Sequence, residues 1–358
     1  MSEDIYNAAS KGTNIEKCAS CGSNLSFDPE RQCLYCEACG STVQIDFKKT
    51  DEQSFDDLFK IKNDWSNETL VFQCQNCGGK QVLSKKEVSK NCIFCGTPNV
   101  VQTEEISGYK PNAVVPFKIS KEKAGSLAVK WGGSRFFAPS RFKKSLSNTD
   151  ELNGVFSPAF TFDSNTFSTY YGTLGKYYYV TKVVNGKSVQ ERKIRYFKIS
   201  GSYSKFFDDV LIQASVSLKA NVIDKIQPFN TNAASVFKQD YLFGFASTQY
   251  DKDGKSCWKD AQDKMEKDIR SSILKRYDYD VISSFTCNVM HSNVTFKYLL
   301  LPLWIGHFIY KEKIFNFFLN GENGKITGKT PVSFWKVLSV VLGIAAVAAT
   351  VIILVLNR

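Results

Sequence analysis

Histidine is nearly absent: 358 residues contain only His291 and His307. Neither has a sequence neighbour that would build a nucleophile–base–orienter arrangement, so both are expected to be packed or at the surface. The chain has no GxSxG, no HExxH and no GxGxxG behind a strand, which removes the common signatures of serine hydrolases, zinc peptidases and dinucleotide enzymes. Asp208-Asp209 is the one tempting carboxylate pair, but adjacent strand residues point to opposite faces. The stretch Asn323 to Thr330 (NGKITGKT) lacks the first glycine of GxxxxGK[ST], and Pro331 follows where a phosphate loop should open into a helix. It reads as a hairpin end. No catalytic or cofactor-binding residues are expected, and no enzyme activity. An apolar leader is missing as well: MSEDIYNAASKGTNIEK is polar throughout, so the bulk of the chain is expected in the cytoplasm.

Cysteine, by contrast, is concentrated. Nine of eleven lie in the first hundred residues, in four CxxCG units: Cys18/Cys21, Cys36/Cys39, Cys74/Cys77 and Cys92/Cys95. Cys21 to Cys36 and Cys77 to Cys92 are both 15 positions, and the whole pattern recurs at a shift of 56. Two thiolates separated by two residues grip one tetrahedral zinc from a tight turn, and a second such turn closes the site. Glycine after the second cysteine accepts the positive φ of that turn. The expectation is two structural Zn2+ ions, held by Cys18, Cys21, Cys36, Cys39 and by Cys74, Cys77, Cys92, Cys95. Disulfides are the competing reading, and they conflict with a cytoplasmic location. Cys33 is surplus; its counterpart in the second repeat is Ser89. Cys257 and Cys287 read as buried small hydrophobes.

Charge is uneven. Residues 1–110 carry 12 Lys and Arg against 16 Asp and Glu, whereas residues 111–358 carry 34 against 19. Zinc ribbons that bind nucleic acid need a basic footprint, and this segment is net acidic. Lys80, Lys85, Lys86 and Lys90 around the second ribbon keep nucleic acid as the alternative. Between the ribbons, Asp51 to Trp65 has helical spacing and an acidic first half, predicting a helix that packs on a ribbon.

Beyond Pro98 the texture turns aromatic and β-rich. Helices are predicted at Lys121–Trp131 and Ser256–Tyr277, the latter with Trp258, Ala261, Met265, Ile269 and Ile273 on one face. Strands are predicted at Gly154–Phe162, Thr166–Gly172, Ile305–Tyr310 and Lys313–Leu319. A hairpin of Tyr177–Val184 and Ser188–Ile199 should turn at Asn185-Gly186. Ile226-Gln227-Pro228-Phe229 echoes Val115-Pro116-Phe117, and Leu301-Pro302-Leu303-Trp304 echoes Ser157-Pro158-Ala159-Phe160, an order suggesting duplication. Finally, Val337 to Leu356 is twenty residues without charge or proline. At about 1.5 Å per residue it would span roughly 30 Å, the hydrocarbon thickness of a bilayer.

The predicted fold class is thus small zinc-ribbon units, an α+β (β-rich) domain with internal duplication, and one C-terminal transmembrane helix. The predicted division is ribbon 1 at 14–47, an acidic amphipathic linker helix at 48–70 and ribbon 2 at 71–103. Subdomains at 111–225 and 226–333 and a membrane helix at 337–356 complete it. The basic residues before that helix, Lys311, Lys313, Lys325, Lys329 and Lys336, favour a cytoplasmic head by the positive-inside rule. Ala345/Ala349, with Gly343 nearby, have the small-xxx-small spacing of self-associating spans.

Three stretches resemble a family of bacterial membrane-anchored zinc-ribbon proteins: GVFSPAFTFDSNTFSTYYG (Gly154–Gly172), DVLIQAS (Asp209–Ser215) and LLLPLWIGHFIYKEKIFNFFLNGENGKITGKTPVS (Leu299–Ser333). Members are labelled transcription-factor-IIB-type zinc ribbon-containing, or primosomal helicase-like. Phe160 stands where tryptophan is usual, and Cys33 is extra; neither touches the metal sites. The resemblance implies an anchor or scaffold that holds cytosolic protein partners at the inner membrane. It supplies no catalytic residue, and nothing in the chain supports a helicase.

Overall fold

A computed structural model describes residues 16–59, 69–76, 80–84, 92, 100–105, 110–146, 152–184, 187–215, 218, 221–248, 250–310 and 313–356. The N-terminal unit is a four-stranded antiparallel sheet of β1 (Glu16–Lys17), β2 (Asn24–Asp28), β3 (Cys33–Tyr35) and β4 (Thr42–Gln44), in that order. Its inward side chains, Leu25, Phe27 and Leu34, are buried against Tyr241, Phe243 and Phe245. The Phe27 N–H donates to the Phe243 carbonyl at 2.8 Å, so this unit is fastened to the body.

The expected helix over Asp51–Trp65 is not an α-helix in its described part. It is a short strand, β5 (Gln53–Ser54), followed by one 3-10 turn at Phe55–Phe59; residues 60–68 lie outside the described residues. This segment packs on the body rather than on a ribbon. β5 pairs with the strand at Thr295–Phe296, Leu58 is buried, and Phe55 meets Trp258 with ring centroids 5.2 Å apart. Next come β6 (Thr69–Cys74), β7 (Lys80–Ser84) and β8 (Val100–Glu105), in the order β7-β6-β8, and β9 (Ala113–Val114).

After α1 (Lys121–Gly133) and α2 (Ser140–Ser145), β10 runs over Leu152–Val184 and β11 over Lys187–Gln213. They pair antiparallel to the last residues, Val184 opposite Lys187. The hairpin therefore closes over Asn185-Gly186, whose own turn geometry lies outside the described residues. The sequence suggested separate strands with a break after Phe162. Instead the register shifts at Asp163–Asn165 and the strand continues, because a β-bulge absorbs the polar residues without ending the ladder.

The remaining elements are α3 (Val222–Ile226), β12 (Ser235–Val236), β13 (Ala246–Ser247), α4 (Gly254–Leu274), β14 (Val281–Tyr310), β15 (Lys313–Asn320), β16 (Ile326–Gly328) and α5 (Phe334–Leu356). The thirty-residue β14 pairs with the other side of β10, from Leu152/Gly306 to Gly175/Val281. α4 starts on an Asp253 cap that accepts from the Ser256 N–H. It buries Cys257, Ala261, Met265, Ile269 and Ile273 on the three-stranded sheet, at the spacing the sequence suggested. Trp258 sits at the edge of that row, against Phe162 and His291. At 33 residues β10 has a contour of about 110 Å.

Two crossings of the central pair are parallel. β13 lies beside β10 at Val155–Phe156, and β9 lies beside β14 at Leu299–Leu300. Between them Phe156 faces Pro302, Ser157 faces Leu301 and Pro158 faces Leu300. Asn323–Thr330 holds β16, which pairs antiparallel with β15, so it is a hairpin end and not a phosphate loop.

Candidate metal centre

Both CxxCG turns of the N-terminal unit have one geometry. In the first, the Cys18 N–H donates to the Ser23 carbonyl at 2.7 Å and the Gly22 N–H to the Cys18 carbonyl at 2.8 Å. In the second, Cys36 donates to Ser41 at 2.9 Å and Gly40 to Cys36 at 2.8 Å. Gly22 and Gly40 have φ of +74° and +76°, a conformation that a side chain would strain. The β2–β3 hairpin brings these turns face to face.

Sγ of Cys18 lies 3.6 Å from that of Cys39, and Sγ of Cys21 lies 3.5 Å from that of Cys36. All four ligand atoms fall within 4.8 Å of one another. Tetrahedral thiolate ligands at about 2.3 Å from zinc would stand about 3.8 Å apart. The pairs are too far apart for a disulfide, whose sulfurs are about 2.05 Å apart, and all four cysteines are free. The donor set thus fits a metal ion. Ser41 Oγ reaches Cys39 Sγ at 3.1 Å and Ser20 Oγ at 3.2 Å, a polar outer shell of the kind that orients ligands.

Backbone N–H groups of Ser20 and Cys21 draw Cys18 down to about 6. The Ser23 hydroxyl and backbone lower Cys21. The Cys39 backbone N–H also pulls on Cys36, yet burial and protons shared with Cys21 and Cys39 hold it up at about 11. Cys33 is not in this group. It lies in β3 opposite Gln44, buried, and burial raises its thiol.

Of the second set, Cys74 ends β6, and Cys74 and Cys92 are buried in one apolar cluster. Cys77 and Cys95 lie outside the described residues, as do Lys85, Lys86 and Lys90. Cys257 lies on the buried face of α4 as a small hydrophobe, its thiol raised to about 12 by burial, and Cys287 is half-buried. His291 is packed in the sheet: Nδ1 lies 3.1 Å from Ser164 Oγ, and burial lowers its pKa. His307 stands opposite Asn316 in the β14–β15 ladder.

A second polar cluster escaped the sequence reading. Lys297, 3 % exposed at its side chain, sends Nζ to Glu52 at 2.6 Å and to Asp209 at 2.8 Å. Asp163 joins them: it accepts from the Asp209 N–H at 2.7 Å and from Thr295 Oγ1 at 3.1 Å. Asp209 itself has φ of +49°, and Asp208 points away to Asn232. Glu52, Asp163 and Asp209 could ligate a metal by distance, but the Lys297 ammonium already supplies the cation. Burial raises both Glu52 and Asp163. Burial also works against the charge on Lys297, but its bonds to Asp209 and Glu52 outweigh that and raise it. Burial is the larger cause of both carboxylate shifts; the neighbouring Asp209 charge adds to them and the Lys297 ammonium opposes them. The sequence signal was a lysine inside the apolar run Phe296–Leu303, where a buried charge demands a partner.

α5 stands apart from these clusters. Within its 23 residues an 18-residue stretch reaches a mean hydropathy of 2.8, and none of the helix is buried, so it is long and apolar enough to cross a membrane.

The chain is 26 % identical to an uncharacterized Bacillus subtilis (strain 168) protein, YdjG, over 343 residues, covering 92 % of this chain and 93 % of that one. No family model matches, and no solved structure does. The zinc-ribbon resemblance therefore continues to rest on the residues that carry it.

Proposed function

We propose that the protein is a membrane-anchored, cytosol-facing zinc-ribbon adaptor that holds protein partners at the membrane and carries out no chemistry itself. The observation that carries this reading is what stands at the two ends of the long strands. Near the end of β14 the chain leaves the body as α5, apolar and unburied. At the far end, past the Gly175/Tyr196 row, β10 and β11 continue alone as a two-stranded hairpin. That hairpin, residues 176–195, has six Lys and Arg against Glu191 and exposes Tyr179, Val183 and Val189. An isolated two-stranded hairpin is marginal in water, so exposed aromatic and aliphatic groups there favour a partner. The basic charge favours an acidic one.

In this reading the first four cysteines hold one structural Zn2+ and Cys74, Cys77, Cys92 and Cys95 a second. The cytosolic orientation is supported by the lysines on the body side of α5 and by reduced thiolates. An internal duplication is supported by the strand crossings. The pairs of β13 with Val155–Phe156 recur as those of β9 with Leu299–Leu300, and α1 and α4 begin at equal distances after β9 and β13. Phe117 meets Trp304 as Tyr250 meets Phe160. The counterpart of Phe117 is then Tyr250 and not Phe229, and the second unit begins near β13.

The test compares partners crosslinked to the full chain in membranes with those of Tyr179→Ser/Val183→Ser/Val189→Ser. The adaptor reading expects a reproducible partner set that the triple variant loses while its membrane yield stays equal. An unchanged set overturns recognition by the hairpin. No set above empty membranes overturns the adaptor. The hairpin's charge also favours a second reading, nucleic-acid binding, which expects retention on RNA or DNA that falls steeply with salt.

A further inference from the structure

Beside the start of α5 lies the loop between α1 and α2, Ser134 to Pro139. Its two phenylalanines, Phe136 and Phe137, are 63 % and 42 % exposed, with rings edge to face at 5.2 Å. Two apolar rings exposed to this extent are a cost in water unless something covers them. Two hydrogen bonds fix the loop to the helix: the Ser333 N–H donates to the Phe137 carbonyl at 2.8 Å, and Lys336 Nζ to the Ala138 carbonyl at 2.6 Å. The exposed Val332, Phe334 and Trp335 complete one apolar rim.

Around this rim the charge has one sign. Val129 to Leu146 contains Lys130, Arg135, Arg141, Lys143 and Lys144, and no acidic residue. Helix length fixes the level of the loop. The 23 residues of α5 extend about 35 Å at 1.5 Å each, about one turn more than a hydrocarbon core of about 30 Å. Because Asn357-Arg358 follow directly, the surplus turn at Phe334–Lys336 falls at the headgroup level on the body side, and the loop is bonded to that same turn.

We infer that the α1–α2 loop is a membrane foot: Phe136 and Phe137 enter the interface of the bilayer that α5 crosses, and the surrounding Lys and Arg contact anionic lipid headgroups. The inference rests on α5 as a span. Aromatic rings prefer the interfacial zone, and cations near an anionic leaflet are attracted to it. The foot would hold the body upright on the membrane, with the β10–β11 hairpin about 100 Å of strand contour away.

The full chain is placed in nanodiscs of phosphatidylcholine alone, or with about one quarter phosphatidylglycerol, carrying the photoreactive residue p-benzoylphenylalanine at one position. The positions are Phe136, Val347 in α5 and Tyr179 in the hairpin. The foot expects lipid adducts from Phe136 and Val347 and none from Tyr179. It also expects the Phe136 yield to rise at least about threefold with phosphatidylglycerol and to lose that rise in Arg141→Gln/Lys144→Gln. Val347 adducts without Phe136 adducts overturn the foot and leave the span. No Val347 adduct overturns the span and the foot with it. A Phe136 yield indifferent to phosphatidylglycerol overturns the anionic-lipid contact, and a Phe136 adduct to protein instead of lipid replaces the bilayer by a partner.

Discussion

The thiolate cluster of the N-terminal unit and the carboxylate cluster at the base of the long strands solve the same electrostatic problem in two ways. Four thiolates around a divalent ion leave two negative charges in excess; so do three carboxylates around one ammonium. In the carboxylate cluster the chain supplies its own cation, Lys297, and the fold is complete without help. The thiols of Cys18, Cys21, Cys36 and Cys39 could hold a metal ion, and in the proposed reading their cation comes from solution. The difference follows from size. A four-stranded unit with Leu25, Phe27 and Leu34 in its buried apolar set has little core, so a metal bound there would contribute folding energy. The body has strands of about thirty residues and α4 across them, and can bury an ion pair as one element among many.

The largest expected effect is removal of the metal. In zinc-finger peptides such sites contribute on the order of 10–16 kcal/mol, far more than the ribbon can replace by burial. Chelation, or Cys36→Ser, should abolish hydrogen-exchange protection in β2 and β3 while protection in α4 and β14 persists. Protection surviving in a metal-free β2–β3 hairpin would break the comparison, because the ribbon would then be self-sufficient.

Lys297→Met tests the other cluster. Removing one member of a buried ion group costs about 3–5 kcal/mol, since the carboxylates are left facing one another. The effect should depend on pH in a stated direction. Glu52 and Asp163 have raised pKa values, so the folded state takes up their protons more readily than the unfolded chain. The strain their charges impose is relieved as pH falls through that raised range, and the gap between variant and parent should narrow there. For the parent, the folded pKa of Lys297 lies above its ordinary 10.5; its contribution is complete below that value and is lost as pH rises through the folded one. Urea unfolding of the detergent-solubilised chain at several pH values measures both. A gap that widens in acid would remove the like-charge explanation.

The two clusters were also unequally legible in the sequence. Cys18, Cys21, Cys36 and Cys39 declare themselves because ligand and glycine spacing are local, and each turn needs only its own residues. Glu52, Asp163, Asp209 and Lys297 span 245 positions and meet only through tertiary pairing: β5 docks on β14, and a bulge turns Asp163 inward. Asp163-Ser164-Asn165 looked like a strand end for the same reason, since polar residues that terminate most strands can also be accommodated by a bulge. The helix α1, the buried face of α4 and the hairpin pairing around Asn185-Gly186 were readable from period and turn chemistry. The 3-10 turn at Phe55–Phe59 was not. Helical spacing there reflects Phe55 and Leu58 reaching the body, which one turn already satisfies.

The smallest effect concerns Cys33, and it sharpens the contrast between a cysteine that packs and one that ligates. Cys33 lies three positions before Cys36, yet it is buried in β3, its thiol is raised by burial and its sulfur is not among the clustered ligands. A neutral, buried thiol behaves as a small hydrophobe, whereas a ligand must be a thiolate. Cys33→Ala should therefore cost about 1 kcal/mol, the ordinary price of a modest core truncation, and leave bound metal unchanged. Cys36→Ala, three residues along the same hairpin, should release the metal. Elemental analysis beside thermal unfolding separates the two. Equal metal loss in both variants would make Cys33 a ligand beside Cys36 and leave Cys39 as the spare.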